Sequence, residues 1–422
     1  MKKTLSTSGL LILLLLGFIA NAQELEPATP EEVGMSTERL ERLTQVMNDY
    51  ASNGELSGGV TLVARKGKIA YYESFGQNDL EKGNPMGKDA IFRIASQTKA
   101  IVSVGIMMLQ EEGKLLISDP LGKYIPEWQE TTVAKKKKDG SYEVVKAKRA
   151  ITLRDLLTHT AGIGYGWGPA EKEWREAGIQ GWYFADRDEP VLDVIKRMAS
   201  LPMDAQPGTT FVYGYNTDIL GAVIEVVSGM SLDEFLTSRI LKPLGMNDTH
   251  FYLPKKKKDR LAVVYSSTDQ GLKRAPEKAG MESQGQYASG PQKCYSGGAG
   301  LLSTAYDYAI FLQMMLNKGE YNGVRILAPK SVELMTMNHL RDIPFPWEDG
   351  VGFGLGFKTI EDQGANGVMG DKGEYGWGGA YHSTYWVNPA EDMIVVYFTN
   401  LIPATVDDHG KLRVLVYQSV MD

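Results

Sequence analysis

The sequence predicts an α/β fold in which one sheet, flanked by helices, is assembled from both ends of the chain, with a mostly helical region inserted between them. Three observations predict it. Apolar, β-prone runs occur early, at Val60 to Ala64 and Lys68 to Ser74. They return only late, at 352–359, 383–387 and 393–399, and the stretch between carries helical spacing and helix caps. With 422 residues, 43% of them apolar, the chain is long enough for a large core shared by two lobes. The expected segments are 1–22 as an export signal, 23–95 with 300–422 as the sheet domain, and 96–299 as the helical domain.

Lys2 and Lys3 precede the apolar run Leu10 to Ile19, and Ala20-Asn21-Ala22 offers small residues for cleavage before Gln23. The protein is therefore expected to be exported, to the periplasm or beyond. The run is shorter than the ~20 residues of a spanning helix and no later segment approaches that length, so no stable membrane insertion is expected. No Cys follows the run, which gives no sign of a lipid anchor.

Ser36 is placed to cap a helix reaching about Asn53, with Leu40, Leu43, Val46, Met47 and Tyr50 as its apolar stripe. A hairpin follows, turning at Arg65-Lys66-Gly67. The loop 76–88 leads to Phe92-Arg93-Ile94-Ala95-Ser96-Gln97-Thr98-Lys99-Ala100 and a buried helix begun by Ser96, ending near Gly113 as its C-cap. Asp139-Gly140 marks a surface hairpin, and the lysine runs 135–138 and 255–258 read as solvated turns. Thr152 to Gly162 reads as a short helix stopped by Gly162, with His159 bonding its last carbonyls. Tyr165, Trp167, Trp174, Trp182 and Tyr183 either wall a pocket or fill a lobe. Further helices are expected at 190–200, 217–229 (capped by Asn216 or Thr217), 231–239, Ala305 to Asn317, Pro329 to Met337 and near 407–420. No internal repeat is present.

The formal charge is −7, and −9 once Lys2 and Lys3 leave with the signal, so a nucleic-acid partner is not expected. Cys294 is the only cysteine; it forms no intrachain disulfide and reads as a small buried apolar residue. The five histidines, at 159, 250, 339, 382 and 409, show no paired spacing, so neither a metal nor another cofactor is expected.

Ser96 and Lys99 lie one helical turn apart. A serine hydroxyl needs a neighbour to take its proton, and a lysine can do so if burial keeps it neutral. A helix starting at Ser96 would also aim free N–H groups at a developing oxyanion. Taken alone, the pair equally fits a cap and a solvated lysine. No other serine has Lys at the third position, however, and no GxSxG motif competes. Tyr213, at the mouth of the 217–229 helix, is either structural or a proton shuttle. Trp377-Gly378-Gly379-Ala380 is either a tight turn or a place of close backbone approach to a ligand.

In order, these stretches resemble the serine β-lactamase-like family, specifically the class C β-lactamase-related esterases, D-amino-acid peptidases and transacylases. The resemblance runs from about residue 30 to 420. It includes Ile151 to Gly162, Pro243-Leu244-Gly245-Met246-Asn247-Asp248-Thr249, and Ser296 to Thr304. It implies the β-lactamase and penicillin-binding-protein fold, an antiparallel sheet flanked by helices with a mostly helical insertion. It implies Ser96 as the acylated nucleophile, Lys99 as its base, and Tyr213 as a second acid/base in a Tyr-x-x-x-x-Asp motif. Trp377-Gly378-Gly379 would replace the family's Lys-Thr-Gly, with the N–H groups of Ser96 and Ala380 as the oxyanion hole. Two departures stand out. Tyr215 occupies the place of the Asn in the Tyr-x-Asn version, and Trp377 that of the lysine that draws a substrate carboxylate. His382 is a candidate cation nearby or a strand residue with no special role. The expected function is an exported serine hydrolase working through an acyl-enzyme, foremost a carboxylesterase on small or apolar-acyl esters. The alternatives are a β-lactamase or D-amino-acid peptidase, and a non-catalytic module that binds cell-wall fragments.

Overall fold

The central strands are apolar on both faces, and the fold follows from covering both. The computed structural model describes residues 24–278 and 280–422; the expected export segment 1–22 lies outside them. Among the described residues the main sheet has nine strands: β1 (Glu26–Pro27), β2 (Gly58–Arg65), β3 (Lys68–Asp79), β4 (Asn84–Pro85), β5 (Val351–Phe353), β6 (Lys358–Ile360), β7 (Tyr375–Gly379), β8 (Ser383–Asn388) and β9 (Met393–Thr399). Their order is β1-β3-β2-β9-β8-β7-β6-β5, with β4 beside β3, and all pairs are antiparallel except β1 with β3. The two ends of the chain meet between β2 and β9, with Leu62 opposite Val396. Lys66 and Gly67, at φ 52° and 73°, make the tight turn from β2 to β3.

Six helices position the site: α1 (Thr37–Ser52), α2 (Thr98–Glu111), α3 (Leu153–Leu157), α4 (Asn216–Ser228), α5 (Ala305–Leu316) and α6 (Asp408–Tyr417). One sheet face, with Val63, Met393, Val395 and Tyr397, packs on Leu40, Leu43 and Met47 of α1 and on Leu412 and Val416 of α6. The other, with Val60, Leu62, Ile394, Val396 and Phe398, shares a core with α5, α2, α3 and α4. That core runs unbroken from the sheet through the helical region. Phe92–Arg93 pairs with Leu302–Ser303, so the chain enters and leaves the helical region at one place.

Several local expectations differ from the structure. The α3 helix ends at Leu157 rather than at Gly162, because Thr158 leaves helical geometry and His159 turns into the left-handed region at φ 54°. The His159 ring, buried, does not bond the last carbonyls; its Nδ1 meets the Asn216 amide at 2.9 Å. Asn216 caps nothing, since it lies inside α4 and its amide also donates to the carbonyls of Ile163 and Val212. Ser96 does not open an α-helix: it lies in a 3₁₀ turn, Ala95–Gln97, entered through Ala95 at φ 41°, and α2 begins at Thr98. The run 352–359 is split between β5 and β6, where the Gly354 N–H donates to the Phe357 carbonyl at 2.7 Å. Among the described residues no helix is long and apolar enough to cross a membrane.

Leu62 is fully buried on the central strand. Leu62→Ala should cost about 2–5 kcal/mol, the range for deleting a large core side chain, read as a lower urea midpoint at unchanged m-value.

Candidate active site

The site begins with the 3₁₀ turn that lifts Ser96 out of the buried helix. Ser96 is partly exposed, whereas Lys99, at the start of α2, is 2% exposed. Burying an amine is costly unless each donor finds an acceptor. Lys99 Nζ reaches three: Ser96 Oγ at 3.2 Å, Tyr165 Oη at 3.1 Å and the Gly298 carbonyl at 2.8 Å. It also lies 4.6 Å from the centre of the Tyr213 ring, a cation–π distance.

Each acceptor is held in turn. Asp218, on the first turn of α4 and fully buried, accepts from Ser296 Oγ at 2.6 Å and the Gly298 N–H at 3.0 Å, which fixes the Gly298 carbonyl on Lys99. Burial pushes this carboxyl above its ordinary range, while the Ser296 hydroxyl and Lys99 pull against it. Tyr165 sits in the loop after α3, and burial pushes its phenol well above the usual value, which keeps it protonated. Gly214, between Tyr213 and Tyr215, passes directly over that loop: a Cβ there would lie 2.3 Å from the Ile163 carbonyl. His159, 4.7 Å ring to ring from Tyr213, is held well below its ordinary value chiefly by burial, so it is neutral.

Strand β7 forms the opposite wall. A Cβ at Gly379 would lie 2.5 Å from the Ile94 carbonyl, so only glycine lets this strand end abut the Ser96 turn. Strand β6 pairs with Tyr375 and Gly376 alone, which leaves Trp377 to Gly379 as an edge facing the cleft. Trp377 Nε1 donates to Tyr213 Oη at 3.0 Å. The resulting cleft, about 690 Å³, is lined by Ser96, Tyr165, Tyr213, Trp377, Gly378, Gly379 and Ala380, with Trp347 at its rim. Trp347 is 57% exposed, and its ring lies 5.7 Å from Tyr213 and 6.0 Å from Trp377. The lysine on this wall, Lys358, is paired with Glu348 at 2.9 Å.

The structure thus brings Ser96, Lys99, Tyr213 and Trp377 to Ala380 together. Tyr215, expected to face substrate, lies behind the wall instead: it is fully buried, donates to the Gly181 carbonyl at 2.6 Å and stacks on Trp174 and Phe184. The aromatic stretch serves both ends, with Tyr165 and Trp182 in the cleft and Trp174 in the core. Sequence reasoning missed Tyr165 as a partner of Lys99, and Trp347 altogether. The first carries no fixed spacing to the Ser96 turn, and the second sits in an irregular loop.

The family model described as Beta-lactamase matches residues 41–417. The chain belongs to the beta-lactamase family. Protein Rv1367c of Mycobacterium tuberculosis is 32% identical to this chain over 374 residues, covering 85% of this chain and 89% of that protein. Esterase EstB of Burkholderia gladioli is 30% identical over 373 residues, covering 85% and 90%. The solved structure of EstCE1, described as a hydrolase with promiscuous acyltransferase activity, superposes with a TM-score of 0.76 at 27% identity, covering 90% of this chain and 98% of its own. Membership makes this beta-lactamase-family protein a serine hydrolase.

One carboxyl beside the site sets a pH dependence. The loop carrying Tyr165 lies on Asp204, whose Oδ1 has no hydrogen-bond partner among the described residues; a Cβ at Gly168 would fall 1.8 Å from it. Burial pushes Asp204 up from 3.8 to about 6, with Lys136 opposing. The unfolded chain releases this proton first, so the group lowers stability as pH rises from about 4 to about 6 and gives no further slope above that. Asp204→Asn should therefore stabilise the protein by about 2 kcal/mol at pH 7.5 and by little at pH 4, measured by urea unfolding at both.

Proposed function

We propose that this serine hydrolase is a carboxylesterase for esters with small or apolar acyl groups, working through an acyl-enzyme on Ser96. Ser96 Oγ attacks the ester carbonyl and passes its proton to Lys99 Nζ. The carbonyl oxygen turns toward the N–H groups of Ser96 and Ala380, and the departing alcohol takes a proton by way of Tyr213. Water or an alcohol then resolves the intermediate. The lysine-flanked apolar run and Ala20-Asn21-Ala22 support a place of action in the periplasm or outside the cell.

The observation that carries the ester reading is the aromatic wall. Where the resemblance places a lysine for an anionic substrate, Trp377 donates to Tyr213, and the nearby cation Lys358 is neutralised by Glu348. A carboxylate beside Ser96 would lack a charge-assisted contact there, whereas an apolar acyl group buries its surface against the indole.

Ser96→Ala should abolish turnover of p-nitrophenyl butyrate; activity near that of the parent would end the assignment. Trp377→Lys should raise kcat/KM for nitrocefin relative to that ester by roughly tenfold or more, the worth of one charged hydrogen bond. A parent that prefers nitrocefin would defeat the ester reading.

A further inference from the structure

The cleft does not end at Ala380. It continues past His382 to His409 and Gly410 at the start of α6. His382 occupies a left-handed conformation, φ 59°, at the tip of the β7–β8 hairpin, two residues beyond Ala380. Its main chain is tied down on both sides, the N–H by the Gly379 carbonyl at 3.1 Å and the carbonyl by Thr399 Oγ1 at 2.5 Å.

The ring is oriented as firmly. His382 Nε2 lies 2.6 Å from Asp408 Oδ1, and Asp408 Oδ2 accepts from Tyr397 Oη at 2.6 Å. Burial pushes Asp408 up, but the hydrogen bonds it accepts from His382 and Tyr397 help to hold it below the ordinary carboxylate range. An ionised Asp408 fixes the tautomer: Nε2 carries the hydrogen, and Nδ1 is left as an acceptor with no hydrogen-bond partner among the described residues. The His409 ring stacks on His382 at 4.0 Å and 12°. Burial lowers His409 to about 4, so it is neutral near pH 7.

These three side chains are close enough to suggest a cation site. The stacking argues otherwise, because imidazole lone pairs lie in the ring plane, and two nearly parallel rings cannot aim them at one ion. A histidine oriented by a buried carboxylate, with its other ring nitrogen free of a hydrogen-bond partner among the described residues, is instead built to exchange a proton.

The geometry points to His382 as the group that activates the water or alcohol resolving the Ser96 acyl-enzyme, an assignment that rests on the acyl-enzyme reading above. Lys99 is enclosed on the inner side of Ser96 by Tyr165 and Gly298, whereas His382 lines the same open cleft as Ser96. As the water oxygen bonds to the acyl carbon, its proton passes to His382 Nδ1. The bond between that carbon and Ser96 Oγ then breaks, and Oγ takes the Tyr213 hydroxyl proton. His382 returns its proton through solvent to Tyr213 as the acid departs.

The test is direct measurement of deacylation in the full chain. The protein is acylated with p-nitrophenyl butyrate, freed of ester by rapid desalting, and the loss of the Ser96 adduct is followed by intact mass. His382→Gly accepts the left-handed backbone, and His382→Asn is a second variant that tolerates it. Adduct decay should slow by about a hundredfold in both, with acylation changed less than about threefold, and added imidazole should restore decay in the glycine variant. Decay at the parent rate, equal loss in both steps, or no rescue by imidazole would overturn the assignment. An adduct that still forms in Ser96→Ala would overturn the acyl-enzyme reading itself, whatever His382 does.

Discussion

A buried amine with no carboxylate bonded to it is the constraint on which the rest of the site depends. Lys99 Nζ is satisfied by a hydroxyl, a phenol and a carbonyl that come from three separate segments: the turn before α2, the loop after α3 and the loop before Leu302. An orphaned donor at this depth would cost several kcal/mol, so these segments are locked to one another as strongly as to their own elements. The nearest acid, Asp218, does not neutralise the amine by contact. It holds the Gly298 carbonyl that does the bonding, and a Cβ at Gly298 would lie 2.3 Å from its Oδ2. The arrangement leaves the nitrogen beside Ser96 without a direct ion pair among the described residues.

Around that amine the protein uses rings where a charge would be expected. Tyr213 lies between Lys99 on one side and Trp377 on the other, accepting the indole N–H while its face meets the amine. Phe211, Phe345 and Phe353 form a packed cluster behind it. The members of this wall interlock at tilted and edge-on angles. The apolar lining of the cleft and the placement of Tyr213 therefore rest on the same side chains.

Much of this was legible in the sequence. Regular elements with strong periodicity, such as α1, β2, β3 and β9, were marked by spacing alone, and Ser96, Lys99, Tyr213 and Trp377 by their order along the chain. What failed was local geometry at helix ends. His159 and Ala95 adopt positive φ because tertiary contacts demand it, and no composition signal announces that. Tyr215 was misplaced because α4 starts at Asn216, so its ring turns to the far side of the wall from Tyr213. Tyr165 was seen only as one aromatic among several, since its tie to Lys99 spans a loop whose path is set by Asp204 and Gly214.

The pairing of β2 with β9 has a consequence for how the molecule is made. β2 is buried over all eight residues, yet one of its two neighbours is among the last segments to be synthesised. Until residues 393–399 exist, β2 has a bare hydrogen-bonding edge, and the α6 helix that shares the cover of one face with α1 follows later still. A chain stalled or clipped before β9 is thus a sticky half-sheet rather than a smaller version of the enzyme, and the emerging polypeptide must be kept from its neighbours until its final turn of helix arrives.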